Sequence, residues 1–214
     1  MRLENHIVTG LARRSFIKIG NSLAVDFANT VYGPGEEDGA LHSWRDLVDF
    51  LDLRGGVSRP EAERLRAMGE SDARRCAKAF AQALELRDTV RAMLGAMAAK
   101  RQLRASWIHA VNRGLASGIG GDRLLRQDGG WLLAFVPAAT DPLRALAPIA
   151  HSMAQLVEQG NRASIRNCAN PACVLYFCDT SRTRRRRWCS MAVCGNRMKV
   201  AAHARRRRSR PKSK

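Results

Sequence analysis

Apolar residues return at helical spacing through most of the first 160 positions and almost nowhere after them. Between Ser71 and Lys100 the chain contains no proline, and Phe80, Leu84, Val90, Leu94 and Met97 recur at helical spacing, which predicts one long helix. Shorter stretches have the same period. Trp44, Leu47, Val48 and Leu51 follow a capping Ser43 and stop at Gly55 and Gly56, and a second helix is expected from Ser58 to Met68, with Pro60 in its first turn and Gly69 ending it. Trp107, Ile108, Val111 and Leu115 form another, followed by a loose connection over Gly114 to Gly121. The last begins at Asp141 and Pro142, carries Leu146, Ile149, Met153 and Leu156, and ends at Gly160.

Two segments break the helical rhythm. From Arg123 to Val136 two apolar runs flank Asp128, Gly129 and Gly130, the signature of a β-hairpin. From Ser15 to Val31 alternating and continuous apolar runs surround Gly20 and Asn21, which suits a hairpin or a strand leading into a short helix. Tyr32 to Ala40 is turn-rich, and its acidic triplet Glu36, Glu37 and Asp38 lacks the ligand spacing of a calcium loop. The expected class is α+β: a mostly helical body with a small β-hairpin over residues 1–160, then a distinct segment over 161–214.

Charge separates the two parts. The formal net charge is +18, yet residues 162–214 hold 16 Lys and Arg against a single acid, Asp179, while the remainder is nearly balanced. So concentrated a cationic segment suits a polyanion, because neutralising phosphates releases condensed counterions. The first ten residues lack the apolar core of an export signal, and no apolar run is long enough for a bilayer, so a cytoplasmic protein that engages no membrane is expected.

Within the cationic segment Cys168, Cys173, Cys189 and Cys194 fall into two equal C-x4-C pairs, separated by fifteen residues. Zinc takes four such ligands at tetrahedral corners, commonly two from each of two tight turns, and in a reducing compartment paired thiols are better read as metal ligands than as disulfides. Asn170 and Pro171 supply turn chemistry inside the first pair. Cys178, in a strand-like run after Tyr176 and Phe177, reads as a small buried residue, as does Cys76 on the long helix. With four thiols in place, His203 is not needed as a ligand. The expected cofactor is one structural Zn2+.

Arg184, Arg185, Arg186 and Arg187 precede Trp188, so a metal-held turn there presents phosphate contacts beside an aromatic face. Arg182, Arg197, Lys199, Arg205, Arg206, Arg207 and Arg208 extend the set along an alanine-rich, basic helix. Asn196 is placed either to cap that helix or to read an adenine edge. The block from Asn167 to Arg208, with Cys194-Gly195-Asn196-Arg197, Phe177-x-Asp179-x-Ser181-Arg182 and Arg186-Arg187-Trp188-Cys189-Ser190-Met191, resembles the CGNR-type zinc finger. Residues 18–53, with LAVDFANTV and SWRDLVDFL, resemble the ABATE domain that accompanies that finger in proteins described as stress-induced transcriptional regulators. The resemblance implies a small treble-clef or ribbon-like finger ligated by those four cysteines, and a nucleic-acid-binding role.

These readings converge on a bacterial-type transcriptional regulator whose partner is DNA. RNA, or an acidic protein met by a zinc-stabilised interaction module, are the alternatives. Asp26 and Asn29, polar within an apolar run, are the candidate contacts for a small-molecule effector in the body, with simple backbone satisfaction as their other reading. There is no phosphate-binding glycine loop, no HExxH and no G-x-S-x-G, and His42, His109 and His151 are scattered, so catalysis is not expected.

Overall fold

A computed structural model describes residues 16, 18–31, 39–117 and 141–208, together with the backbone of 120–127 and 130–137; the side chains of 207 and 208 are excluded. The acidic triplet, the hairpin's turn and the last six residues lie outside the described residues. The elements in order are α1 (Leu23–Ala28), α2 (Trp44–Leu53), α3 (Arg59–Ser71), α4 (Ala73–Ala98), α5 (Ala105–Ala116), β1 (Gly120–Gln127), β2 (Gly130–Pro137), a 3-10 turn (Pro142–Leu146) and α6 (Ala147–Gln159). A short 3-10 turn (Gly160–Ala163) then leads to β3 (Ile165–Asn167), β4 (Tyr176–Cys178), a π turn (Met191–Gly195) and α7 (Asn196–Arg208).

The long helix is the axis of the body. Asp72 caps α4 through its side chain, and α1, α2, α3, α5 and the 3-10 turn before α6 all pack around it. Phe27, Leu47, Phe50, Leu51, Leu65, Met93, Leu94, Ile149 and Met153 are fully buried between these helices, each stabilising the fold by about 1.5–3 kcal/mol relative to exposure. β1 and β2 form the expected antiparallel hairpin, with Gln127 paired to Gly130 next to the turn and Gly120 to Pro137 at the far end.

Three boundaries differ from the sequence expectation. Gly69 does not end α3, which runs on to Ser71; a Cβ there would stand 2.8 Å from the Trp44 ring, so the glycine is a notch for the indole. Gly114 lies inside α5 and is buried against Ala150, where a Cβ would approach to 2.7 Å, so this position packs two helices instead of loosening the chain. The last body helix is split into a 3-10 turn and α6. Pro148 has no N–H to donate and is tolerated only in a first turn, so the α-helix has to begin anew beside it.

The segment before α1 is a bent approach to the helix. The buried Asp26 carboxylate accepts the backbone N–H of Ile19 (3.1 Å) and Gly20 (2.7 Å), folding residues 19–21 back onto α1. Its other oxygen lies 3.7 Å from Arg54 Nε, and Arg54 in turn donates to the Phe16 carbonyl.

Candidate metal centre and nucleic-acid interface

The finger starts where α6 ends. β3 and β4 pair antiparallel, Ile165 with Cys178 and Asn167 with Tyr176, and the two ligand turns grow from this short sheet. One face of the sheet belongs to the body, since Ile165, Cys178 and Tyr176 join the main apolar cluster. Its other face carries Phe177, fully buried among Cys168, Cys189 and Cys194, with Trp188 and Ile19 against them.

The four cysteines come together as the spacing implied. Their sulfur atoms all lie within 4.8 Å of one another, with Cys173 to Cys189 at 3.7 Å and Cys189 to Cys194 at 3.6 Å. Four thiolates so placed, at the edges expected of a tetrahedral sulfur shell, fit a zinc ion, and one structural zinc is the cofactor of this protein. The turn at Asn170 is built as its residues require: Asn170 Oδ1 accepts from the Ala172 N–H, and the Asn170 carbonyl from the Cys173 N–H. Asn170 also donates its amide to Cys194 Sγ at 3.4 Å, and the Cys189 N–H points at Cys168 Sγ at 3.4 Å. Such hydrogen bonds orient thiolates and spread their charge.

Among themselves the sulfurs compete for negative charge. Hydrogen bonding from Cys189 outweighs burial and holds the Cys173 thiol down at about 5. Cys189, facing that thiolate and buried, is pushed up, and burial pushes Cys194 up as well. A divalent cation removes the conflict, because all four can then ionise around it. Cys178 stands apart from the cluster, donating its S–H to the Ala163 carbonyl at 2.6 Å; Cys76 is buried on α4, and His203 is exposed on α7.

Within the arginine run only Arg186 is half-buried, although Arg184 also bonds backbone. Arg184 takes a left-handed backbone conformation (φ 51°), donates to the Arg162 carbonyl, and has its own carbonyl held by Arg166. Arg186 lies flat over the Phe177 ring, 4.3 Å from its centre, and donates to the carbonyls of Trp188, Cys189 and Ile19. Arg185 and Arg187 are exposed, with Arg187 over the Trp188 ring. Asp179 anchors the loop at Arg186. Burial opposes its ionisation, but the Ser181 hydroxyl and N–H, the Arg186 N–H and the Arg166 guanidinium outweigh that and hold its carboxyl below the usual range. The single acid of the finger therefore shapes the loop from inside and leaves no negative charge on its surface.

Trp188 is half-buried. Behind it lies Gly195, where a Cβ would clash with the Met191 sulfur and just touch the Trp188 ring, so a side chain here displaces Met191. Arg185, Arg186, Arg187, Trp188 and Met191 line a hollow of about 230 Å³ at the start of the terminal helix. Arg182, Asn196, Arg197, Lys199, Arg205 and Arg206 are exposed, Asn196 with its amide on the Ala192 carbonyl; the side chains of Arg207 and Arg208 fall outside the described residues.

Asp26 and Asn29 are both buried and bonded to backbone groups. Asn29 holds the outer edge of β4: its Nδ2 donates to the Tyr176 carbonyl (2.8 Å) and its Oδ1 accepts the Tyr176 N–H (2.9 Å), as a neighbouring strand would. Gly20 accepts from the Cys178 N–H, Asn21 donates to the Cys178 carbonyl, and Arg91 of α4 lies over the Tyr176 ring while donating to the Val174 carbonyl. The loop that Asp26 folds is thus the loop that grips the finger. An open cleft of about 670 Å³ lies elsewhere, between α4, α5 and the 3-10 turn, bordered by Gln82, Glu85, Thr89, Arg113 and Ser117.

Sequence reasoning missed Asn170 as a partner of sulfur, and it missed Arg91 and Arg166. Asp179 had a signal, being the lone acid in a cationic segment; Arg91 had none, since its contact lies 83 residues along the chain.

A helical body that grips a four-cysteine zinc module, itself ending in a basic helix, defines a zinc-finger protein. Residues 164–207 match the model of the CGNR zinc finger, and residues 21–160 match the ABATE family, described as "Putative stress-induced transcription regulator"; the chain belongs to the ABATE family. No curated protein matches the chain.

Proposed function

We propose that this protein is a cytoplasmic, non-catalytic transcriptional regulator that binds duplex DNA through its finger. The observation that carries the reading is the one-sided electrostatics of the finger: its only acid is buried at the foot of the arginine loop, while Arg182, Arg185, Arg187, Arg197, Lys199 and Arg205 face solvent from a metal-braced frame. A phosphate backbone is the natural complement of that surface. The family description, and the absence of any membrane-spanning helix among the described residues, support the same reading.

The body takes the part of the regulatory half. Since Asp26 and Asn29 are occupied in gripping the finger, we assign the effector site to the cleft beside α4, the helix that also carries Arg91 and Gly95 against Tyr176.

The test is to incubate the zinc-loaded chain with fragmented genomic DNA and total RNA at near-physiological salt and to sequence what is retained. Enrichment of a few duplex sites is the expected result. Preferential retention of RNA, or of neither nucleic acid, would overturn the assignment.

A further inference from the structure

We infer that the outward face of the terminal helix is a base-reading stripe for A·T-containing sites in the DNA major groove, with Asn196 and Val200 as its specificity-determining residues. The inference rests on the DNA-binding reading above and adds which residues read and what they read.

The stripe is created by the π turn. In that turn the Gly195 N–H returns to the Ser190 carbonyl and the Asn196 N–H to the Met191 carbonyl, five residues back in each case. Five residues therefore do the work of about four in an α-helix, and the Met191 side chain lies over Gly195, just before Asn196 opens the terminal helix. From Asn196 onward ordinary α-helical spacing places Lys199, Val200 and His203 on the same side. All five are exposed, whereas Cys194 and Gly195 are buried and Met198 and Ala202 half-buried on the side towards the zinc core. The stripe consequently faces away from the rest of the molecule.

Its chemistry is not that of a solvated basic helix. The large apolar side chains exposed among the described residues are Leu53, Met191 (53 %) and Val200 (69 %), so two of the three lie on the π turn and its helix, in the most cationic part of the chain. An apolar protein partner would have to approach through a field of arginines, and only a polyanion does so favourably. Duplex DNA offers one apolar group at a base edge in its major groove, the C5-methyl of thymine, and Val200 is of the size and position to meet it. Asn196 is exposed with one amide hydrogen on the Ala192 carbonyl at 3.3 Å, and its carbonyl oxygen and second amide hydrogen are the pair of groups that complements adenine N6 and N7. The two residues are one turn apart, about 6 Å along the axis, so they meet the same or neighbouring base pairs. A helix of about 10–12 Å diameter fits a groove about 12 Å wide, with Arg185 and Arg187 at the helix start and Arg197 and Arg205 along its flanks left for phosphates.

The experiment is selection from a randomised duplex pool by the zinc-loaded full-length protein, run in parallel with Asn196→Ala, Val200→Ala and the double variant Arg185→Ala/Arg187→Ala. Zinc content and circular dichroism confirm that each variant is folded. The wild type should enrich a site with adenine and thymine at adjacent positions. Asn196→Ala should lose about 5- to 100-fold of the preference at the adenine alone. Replacing the thymine by uracil should weaken the wild type several-fold and leave Val200→Ala unaffected. The double arginine variant should keep the preference while binding all sequences more weakly. Retention of duplexes without preference, or a preference that survives both stripe variants, would overturn the inference and leave DNA binding standing; retention of no duplex would remove the regulator reading with it.

Discussion

The body and the finger hold themselves together by opposite means. The body buries some thirty residues around α4 and relies on apolar area. The finger has four cysteines, Phe177 and a half-buried Trp188 around a metal, and the other face of its two-stranded sheet is lent to the body's core. So small a module cannot bury enough surface by itself. It is made rigid from two sides, by zinc beneath Phe177 and by Asn29, Gly20 and Arg91 along β4. The lesson is that metal and body are both parts of the interface that presents the arginines.

The largest effect expected is therefore that of zinc removal. In isolated finger peptides the metal contributes about 10–16 kcal/mol, and chelation or Cys189→Ser should abolish amide-exchange protection over residues 179–208 together with DNA retention. Helices α2 to α4 should keep theirs, with β4 intermediate because the body still holds its edge. Equal loss of protection in α3 and α4 would mean that the two parts unfold as one unit, which would break the comparison.

A second perturbation acts on the body alone. Glu61 is buried between Arg144, 2.7 Å from its carboxylate, and Arg64, also at 2.7 Å. Glu61→Ala breaks this buried ion pair and should cost about 3–5 kcal/mol in urea unfolding, with zinc affinity unchanged. A fall in zinc affinity of comparable size would show that the body dictates the finger's geometry more strongly than the seam contacts imply.

The seam itself is the next target. Asn29→Ala removes the partner of both the Tyr176 N–H and the Tyr176 carbonyl, and leaving those two groups unpaired should cost about 2–4 kcal/mol. Zinc should stay bound, while exchange at Tyr176 and Cys178 accelerates. An unchanged exchange rate there would assign the rigidity of β4 to zinc alone.

How far this division could be read from the chain depends on the distance between partners. Periodicity located α4 and the other body helices, and the cysteine spacing located the metal, because both signals are local. Gly69 and Gly114 misled because a glycine that ends a helix and one that admits a neighbour look identical until Trp44 and Ala150 are in place. Asp26 and Asn29 stood out as polar residues in an apolar run, yet the groups Asn29 serves lie 147 residues away. The run Arg184 to Arg187 held no signal of its division, since four identical residues have no pattern; it is the buried Asp179, accepting the Arg186 N–H, that singles out Arg186.

That division supplies the smallest and most discriminating test. Arg186→Ala removes the guanidinium stacked on Phe177 and three carbonyl contacts, one of them to Ile19 of the body, so it should lower stability by about 1–3 kcal/mol. Arg187→Ala touches only the exposed face of Trp188 and should stay within about 0.5 kcal/mol of the wild type. In DNA binding the order should reverse at fixed fold. If Arg187 neutralises one phosphate, its loss should reduce the slope of log affinity against log salt by about 0.9, whereas Arg186→Ala, assayed where it is still folded, should leave that slope nearly unchanged because its guanidinium is held by backbone carbonyls and Phe177 and not by phosphate. Equal slopes for the two variants would mean that the arginine loop reopens on DNA and that the inward residues turn out to meet phosphate, making the loop an adaptable clamp instead of a preformed one.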